Sequence, residues 1–339
     1  MSLHIAIVGA TGAVGREMIA SVLSSSLPIS KISLLASARS EGKKMMVGDE
    51  EVTVRTLTND AFEGVDLALF SAGGGRSLEF APAAVKAGCV VVDNSSAWRM
   101  DPEVPLVVPE VNPDALADHK GIIANPNCST IQMVLPLMAL HKAAGLKRVI
   151  VSTYQSAAGA GQAGIDELWA GAKAALADEP LPAKTFSRPL AFDAIPQIGD
   201  FTDTGYTTEE RKMLYETRKI LGLPELASSA TCVRVPVARG HLESVTADLE
   251  RPLSAAAAKE AIAAFPGVVL KDDPANMDFP VARDCVGRTE TFVGRVRVDE
   301  VLPNTIHFWV VSDNLLKGAA TNAVQIAEAL NDNGLVRVP

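Results

Sequence analysis

The residue best placed to act as a nucleophile is Cys128, within Asn125-Pro126-Asn127-Cys128-Ser129-Thr130. Asn, Pro and Ser form turns, and a helix-periodic apolar run follows from about Ser129 to Lys142. The spacing predicts a thiol at a helix N-terminus, where the dipole favours thiolate over the usual thiol pKa of about 8.5. Cys89, inside Cys89-Val90-Val91-Val92, and Cys232, inside a β-branched run, read instead as buried structural thiols. The four cysteines lie at least 39 residues apart, which excludes a CxxC redox pair or a zinc ribbon, and no metal is expected.

A second chemistry is written in Gly9-Ala10-Thr11-Gly12-Ala13-Val14-Gly15, a GxxGxxG loop between an apolar run and an amphipathic helix. Glycine there lets a pyrophosphate approach free N–H groups at the positive end of the helix dipole. The next apolar run, Ile32 to Ala36, ends without an acid to hold a ribose and enters Ser37-Ala38-Arg39-Ser40, with Lys43 and Lys44 beyond. Arg39 with the hydroxyls of Ser37 and Ser40 suits a 2′-phosphate, so NADP is expected over NAD; the plainer reading is a solvated basic loop. Ser71-Ala72-Gly73-Gly74 is another Gly-rich loop after an apolar run, where ligands of doubly wound folds sit.

These loops need a scaffold. Short runs rich in Val, Ile and Leu at 4–8, 31–36, 52–56, 65–71, 89–93 and 121–124 predict a parallel sheet covered on both faces, a Rossmann-type doubly wound α/β domain. Val14, Met18 and Val22 mark the stripe its first helix turns to the sheet. Beyond Cys128 come a strand at 147–154, a Gly/Ala-rich loop at 157–164, an irregular Pro-containing excursion at 178–206, and alternating β-branched runs at 231–237, 242–250, 294–298 and 305–311. That half reads as an α+β domain with mixed or antiparallel strands. The expected division is 1–127, completed by a C-terminal helix within 316–339 that returns to close the cofactor cleft, and 128–315.

Composition narrows the function classes. The 339 residues are 48% hydrophobic and 21% charged, with net charge -9, so no basic field exists for nucleic acid or anionic lipid. No apolar run approaches the 18 or so residues of a membrane span, and the first strand begins at once. A cytoplasmic enzyme is expected, with no nucleic acid or membrane partner.

Together, the loop at 9–15, the segment 125–130 and Arg234-Val235-Pro236-Val237-Ala238-Arg239-Gly240-His241 resemble the aspartate-semialdehyde dehydrogenases. The resemblance covers nearly the whole chain, including Glu216-Thr217-Arg218-Lys219 and Lys317-Gly318-Ala319-Ala320-Thr321-Asn322. It implies NADPH-dependent reduction of 4-phospho-L-aspartate to L-aspartate 4-semialdehyde, through a cysteine thioester and with release of phosphate. That step lies on the routes to lysine (through diaminopimelate), threonine, methionine and isoleucine. By the same resemblance Cys128 is the nucleophile, His241 the acid/base, and Gln155 the residue that orients the acyl group; a strand-end amide capping a loop is Gln155's plainer reading. Arg234 is the carboxylate clamp and Arg99 binds phosphate. Pro236 and Gly240 argue for a break between Arg234 and His241, which lets both face one cleft. From spacing alone Glu216 and Lys219 are a surface i,i+3 ion pair worth about 0.2–0.5 kcal/mol; the resemblance gives them to the substrate ammonium and phosphate. The expected cofactor contacts are Gly9, Thr11, Gly12, Ala13, Val14, Ser37, Arg39, Ser40, Ser71, Gly73, Ala158, Gly159 and Gln325, and a homodimer is implied. Two alternatives stay open: another acyl-phosphate reductase, such as the N-acetyl-glutamyl-phosphate type, for which an ammonium-binding Glu216 has no use, and a non-catalytic NADP-binding subunit.

Overall fold

Runs that are apolar on both faces must be covered on both faces, and the computed structural model, which describes residues 2–338, draws a strand from each of the six runs into one parallel sheet. In chain order the elements are β1 (Leu3–Val8), α1 (Ala13–Leu23), β2 (Ile29–Ala36), β3 (Lys44–Val47), β4 (Glu50–Thr53), β5 (Arg55–Thr56), β6 (Leu67–Phe70), α2 (Gly74–Lys86), β7 (Val90–Asp93) and β8 (Ile122–Ala124). The sheet order is β5-β2-β1-β6-β7-β8, with every pair parallel. Side chains alternate between its faces. Ile5, Ile7, Leu67 and Leu69 pack with Met18 and Val22 of α1, while Ala6, Val8, Ala68 and Phe70 pack with Ala81 and Ala84 of α2.

The run expected as one strand at 52–56 is divided. Glu50–Thr53 turns back on Lys44–Val47 as a two-stranded hairpin, and only Arg55–Thr56 reaches the parallel sheet, at its edge. The alternation of charged and apolar residues from Lys44 to Thr53 suits a ribbon with one wet face, whereas a buried parallel strand needs both faces apolar.

The second half runs α3 (Cys128–Ala144), β9 (Leu146–Gln155), α4 (Gln162–Leu176), α5 (Thr208–Leu221), β10 (Ala227–Arg234), β11 (His241–Leu249), α6 (Ala255–Ala263), β12 (Val268–Leu270), α7 (Ala282–Cys285), β13 (Thr291–Val298) and β14 (Thr305–Ser312). Its mixed sheet has the order β10-β9-β11-β14-β13-β12, parallel at β10–β9 and β12–β13 and antiparallel elsewhere. Strict alternation of buried and half-buried residues along β11 shows that one face is covered. The cover is α3, flanked by α5 and α6. Almost every side chain of α3 is buried, so it is a core helix without a polar face. Residues 178–206 contain no helix or extended strand, as their prolines predict. The strand expected to reach Val237 stops at Arg234, because Pro236 cannot donate to a ladder.

A π-helical turn, Leu316–Ala320, then leads into α8 (Thr321–Asp332). Ala323, Ile326 and Leu330 of α8 join the core beneath α1. Two compact units result: Met1–Asn127 with Ala319–Pro339, and Cys128–Gly318. The crossing points are the Asn127–Cys128 peptide and Gly318–Ala319, the latter three residues beyond the expected start of the returning segment.

Candidate active site

Strand order assembles the second unit's site. Gln155 ends β9 and pairs in parallel register with Arg234, the last residue of β10. On the other side of β9, antiparallel β11 begins with His241, whose partner in β14 is Ser312. The ends of three adjacent strands thus put an amide, a guanidinium and an imidazole at one edge, and the break between Arg234 and His241 lets them belong to different strands. All three are buried.

Each side chain is held. Gln155 donates from Nε2 to Glu209 Oε1 at 3.0 Å and accepts from the Thr153 hydroxyl at 2.9 Å. Arg234 donates to the Ser156 carbonyl at 2.7 Å and lies over the Phe186 ring, 5.7 Å from its centroid. Burial pulls its guanidinium down from the usual value, and the Glu209 carboxylate opposes that pull. His241 Nδ1 lies 3.1 Å from both the backbone nitrogen and the hydroxyl of Ser156. Its Nε2 has no hydrogen-bond partner among the described residues. Burial, reinforced by Arg234, pushes its pKa down to about 3. Gly159 completes the packing, since a Cβ there would come within 2.6 Å of Arg234 and 3.3 Å of the His241 ring.

Cys128 opens α3, half-buried, as the turn residues before it predict. Gly318 abuts it so closely that a Cβ would lie 2.9 Å from the Cys128 Cβ. The remaining thiols are buried, and desolvation raises all three, Cys285 to about 12. On α5, Glu216 is only 1% exposed, which removes the surface ion-pair reading for it, and Lys219 is half-buried.

The first unit carries the glycine loop and Arg99. Gly9 has φ +88°, and a Cβ on it would stand 2.4 Å from the Ser71 carbonyl oxygen, so the two Gly-rich loops touch only because glycine is there. Beside them is a cavity of about 490 Å³ lined by Gly9, Thr11, Gly12, Ser37, Arg39, Ser40 and Ser71, and also by Lys43 and Arg76. Three cations and no acid line it, and α1 starts at Ala13 with neither a side-chain cap nor an acid in its first turn. That cradle fits a phosphorylated dinucleotide. Ala13 and Val14 begin α1, and Gly73 caps α2 with φ +87°. Ala158 and Gly159 belong to the second unit, while Gln325 on α8 donates to Glu110 at 3.1 Å. Arg99 is buried and donates to the carbonyls of Asn125 and Asn94 at 3.0 and 2.9 Å.

Sequence reasoning missed Glu209, Ser156, Asn314, Arg76 and Glu243. Only Arg76 had a signal, following three glycines in the loop already singled out. Glu243 faces the core two residues after His241, fully buried, with neither carboxyl oxygen in a hydrogen bond of standard geometry and Gln132 beside it. Desolvation raises it well above the ordinary carboxylate range. As pH rises past 4.5 the unfolded chain releases a proton that folded Glu243 keeps, so stability falls by up to about 1.4 kcal/mol per pH unit. His241 acts oppositely: its contribution is lost as pH falls from 6.5 towards about 3, because the unfolded imidazole gains a proton that the folded one refuses. Glu243→Gln should therefore gain stability over the native chain as pH rises from 5 to 8, read as a widening difference in urea midpoint. A constant difference would mean that folded Glu243 is ionised.

Among the described residues no group of three or more His, Cys, Asp or Glu could hold a metal ion, and no helix is long and apolar enough to cross a membrane. Residues 4–119 match the family model for the semialdehyde dehydrogenase NAD binding domain, and residues 137–317 that for the semialdehyde dehydrogenase dimerisation domain. The chain is 51% identical over 340 residues to an aspartate-semialdehyde dehydrogenase of Aquifex aeolicus, covering 99% of this chain and 100% of the relative. It is 49% identical over 342 residues to that of Bacillus subtilis, covering 98% and 99%. Among solved structures it is similar to aspartate semialdehyde dehydrogenase II of Vibrio cholerae complexed with ASA, with TM-score 0.96, 46% identity and coverage of 98% and 99%. It is also similar to aspartate semialdehyde dehydrogenase with NADP from Candida albicans, with TM-score 0.75, 25% identity and coverage of 99% and 100%.

Proposed function

Since the chain belongs to the aspartate-semialdehyde dehydrogenase family, we propose that it reduces 4-phospho-L-aspartate to L-aspartate 4-semialdehyde through a thioester on Cys128, and runs the phosphorylating oxidation in reverse. It is an oxidoreductase, and NADP is its cofactor. The observation that carries the mechanism is the convergence of Gln155, Arg234 and His241 on the ends of adjacent strands, in the unit that Cys128 begins.

The Cys128 thiolate, favoured by the α3 dipole and the Arg234 charge, attacks the acyl carbon and displaces phosphate. Arg234 holds the substrate α-carboxylate. Its guanidinium has five N–H donors and makes one hydrogen bond among the described residues, so most of the fork is available. One Gln155 amide N–H is committed to Glu209, and the other orients the acyl group. Glu216 receives the ammonium, and Arg99 and Lys219 the phosphate. The dinucleotide's phosphates sit at Gly9–Gly12, Arg39, Ser40, Lys43 and Arg76, and NADPH when bound supplies the hydride that reduces the thioester. His241 serves the substrate oxygen.

The units divide this labour: 1–127 with the returning C-terminal segment binds the cofactor, and the second unit holds the acyl group and pairs two copies into a homodimer. Exposed Phe192 and Phe201 on the 178–206 excursion suit such a contact.

The test is NADPH formation from NADP and L-aspartate 4-semialdehyde, with and without inorganic phosphate. Turnover should require phosphate. Phosphate-independent turnover, or a preference for N-acetyl-glutamate semialdehyde, would overturn the assignment, because an N-acylated substrate carries no ammonium for a carboxylate to recognise.

A further inference from the structure

β7 and β8 run parallel and in register, with Asp93 opposite Ala124, so the residues that leave their carboxyl ends, Asn94 and Asn125, stand side by side. Each begins a segment with neither helix nor strand; the first carries Arg99 five residues on, and the second leads in three residues to Cys128. Displacement at an acyl phosphate needs the thiolate and the group that holds the departing phosphate in one alignment. Arg99 spans the two strand ends, donating from Nε to the Asn125 carbonyl at 3.0 Å and from Nη2 to the Asn94 carbonyl at 2.9 Å. The fully buried Asn125 side chain ties these ends to the returning C-terminal segment. Its Nδ2 donates to Asn94 Oδ1 at 2.6 Å and to the Ala319 carbonyl at 3.2 Å, and its Oδ1 accepts from Asn322 Nδ2 at 2.6 Å. Asn322 Nδ2 also donates to the Val107 carbonyl at 3.1 Å. A backbone carbonyl can only accept, so Ala319 and Val107 fix which end of each amide is nitrogen, and the donations run one way, from Asn322 to Asn125 to Asn94. The same amide thus clasps the first unit beside the point where the chain leaves it, after Asn127, and the point where it comes back, at Ala319.

We propose that Asn125 is a positioning residue that locks the loop carrying Arg99 to the turn carrying Cys128, so that the phosphate-binding guanidinium and the thiolate meet one acyl phosphate in fixed register. This rests on the reading of Arg99 as the group at the phosphate and of Cys128 as the nucleophile. An amide is what the position requires. Aspartate has the same shape but no proton for Asn94 or Ala319, and would set acceptor against acceptor at both. Alanine takes away the donor to both and the acceptor of the Asn322 bond, in a site closed to water. The backbone carbonyl that receives Arg99 Nε survives either substitution. What changes is where that carbonyl, and the turn that follows it, come to rest.

The test is the steady-state kinetics of the phosphorylating oxidation, with inorganic phosphate and L-aspartate 4-semialdehyde varied separately and thermal unfolding measured beside it. Asn125→Ala and Asn125→Asp should each lower kcat about tenfold or more and raise KM for phosphate about fivefold or more, as misplacement of reacting groups does. KM for the semialdehyde should stay within about twofold of native, because the groups that hold it belong to the second unit. A general loosening of the fold would raise both KM values together. Asn94→Ala, which removes the half-buried acceptor at the end of the amide chain, should show the same split more weakly, and it decides the matter if the Asn125 variants do not fold. An unchanged KM for phosphate in folded Asn125→Ala, or in Asn94→Ala where only that variant folds, would overturn the proposal, as would a parallel rise of both KM values. A native KM for phosphate in Arg99→Ala would instead remove the reading of Arg99, and the proposal with it, whatever the asparagine variants do.

Discussion

Cys128→Ala should lower turnover by roughly 10³-fold or more while leaving NADP affinity and thermal stability close to native. The thiol is the proposed acyl acceptor at the start of α3, so its removal takes away the covalent route and not one contribution to it. Its side chain is half-buried, and truncation at Sγ leaves the Gly318 contact with Cβ intact, so little packing is lost. The cofactor cradle lies in the other unit. Turnover at the native rate would dispose of the thioester; loss of NADP affinity in step with turnover would mean that the substitution had disturbed the fold.

The second large effect is expected at Arg234. Arg234→Ala should reduce kcat/KM by about 10²–10³-fold, or about 3–4 kcal/mol, within the 2–5 kcal/mol or so typical of removing one partner of a buried, hydrogen-bonded charge pair. Arg234→Lys should recover little, since an ammonium cannot reproduce a bidentate fork or stack over Phe186 in the same way. Arg234→Ala also leaves Glu209 facing a weaker positive field, so some loss of stability will accompany its loss of activity. Steady-state kinetics beside thermal unfolding separates the two. A KM for the semialdehyde that does not rise in a folded Arg234→Ala would mean that another group holds the carboxylate.

Features set by neighbours in the chain are legible in the amino-acid sequence. The glycine loop, the basic loop at Arg39 and the turn that presents Cys128 each involve a few consecutive residues whose backbone demands are written in their types. The break between Arg234 and His241 was readable for the same reason, from Pro236 and Gly240. What was not readable depends on which strands become neighbours. Ser156 and Asn314 are 158 residues apart and meet because β9 and β14 both flank β11. Glu209 stands two turns before Glu216 on one face of α5, and in the sequence it is indistinguishable from the acids of a capped helix start; its neighbour Glu210 does accept from the N–H of the N-cap residue Thr207. The helix α4 was hidden by Gly161 and Gly164, which break helix periodicity in the sequence. Gly164 is nevertheless inside α4, where a Cβ would come within 2.4 Å of the Ala157 carbonyl oxygen.

The unequal burial of the four thiols makes the chain its own gauge. With Cys89, Cys232 and Cys285 sealed in the core and raised by desolvation, a thiol-specific reagent finds one reactive site per native chain, and the amount consumed rapidly counts competent active centres in a preparation. The three slower equivalents become available only as the surrounding packing opens. The first label therefore reports how many molecules can work, and the appearance of the others times how often the structure around them comes apart.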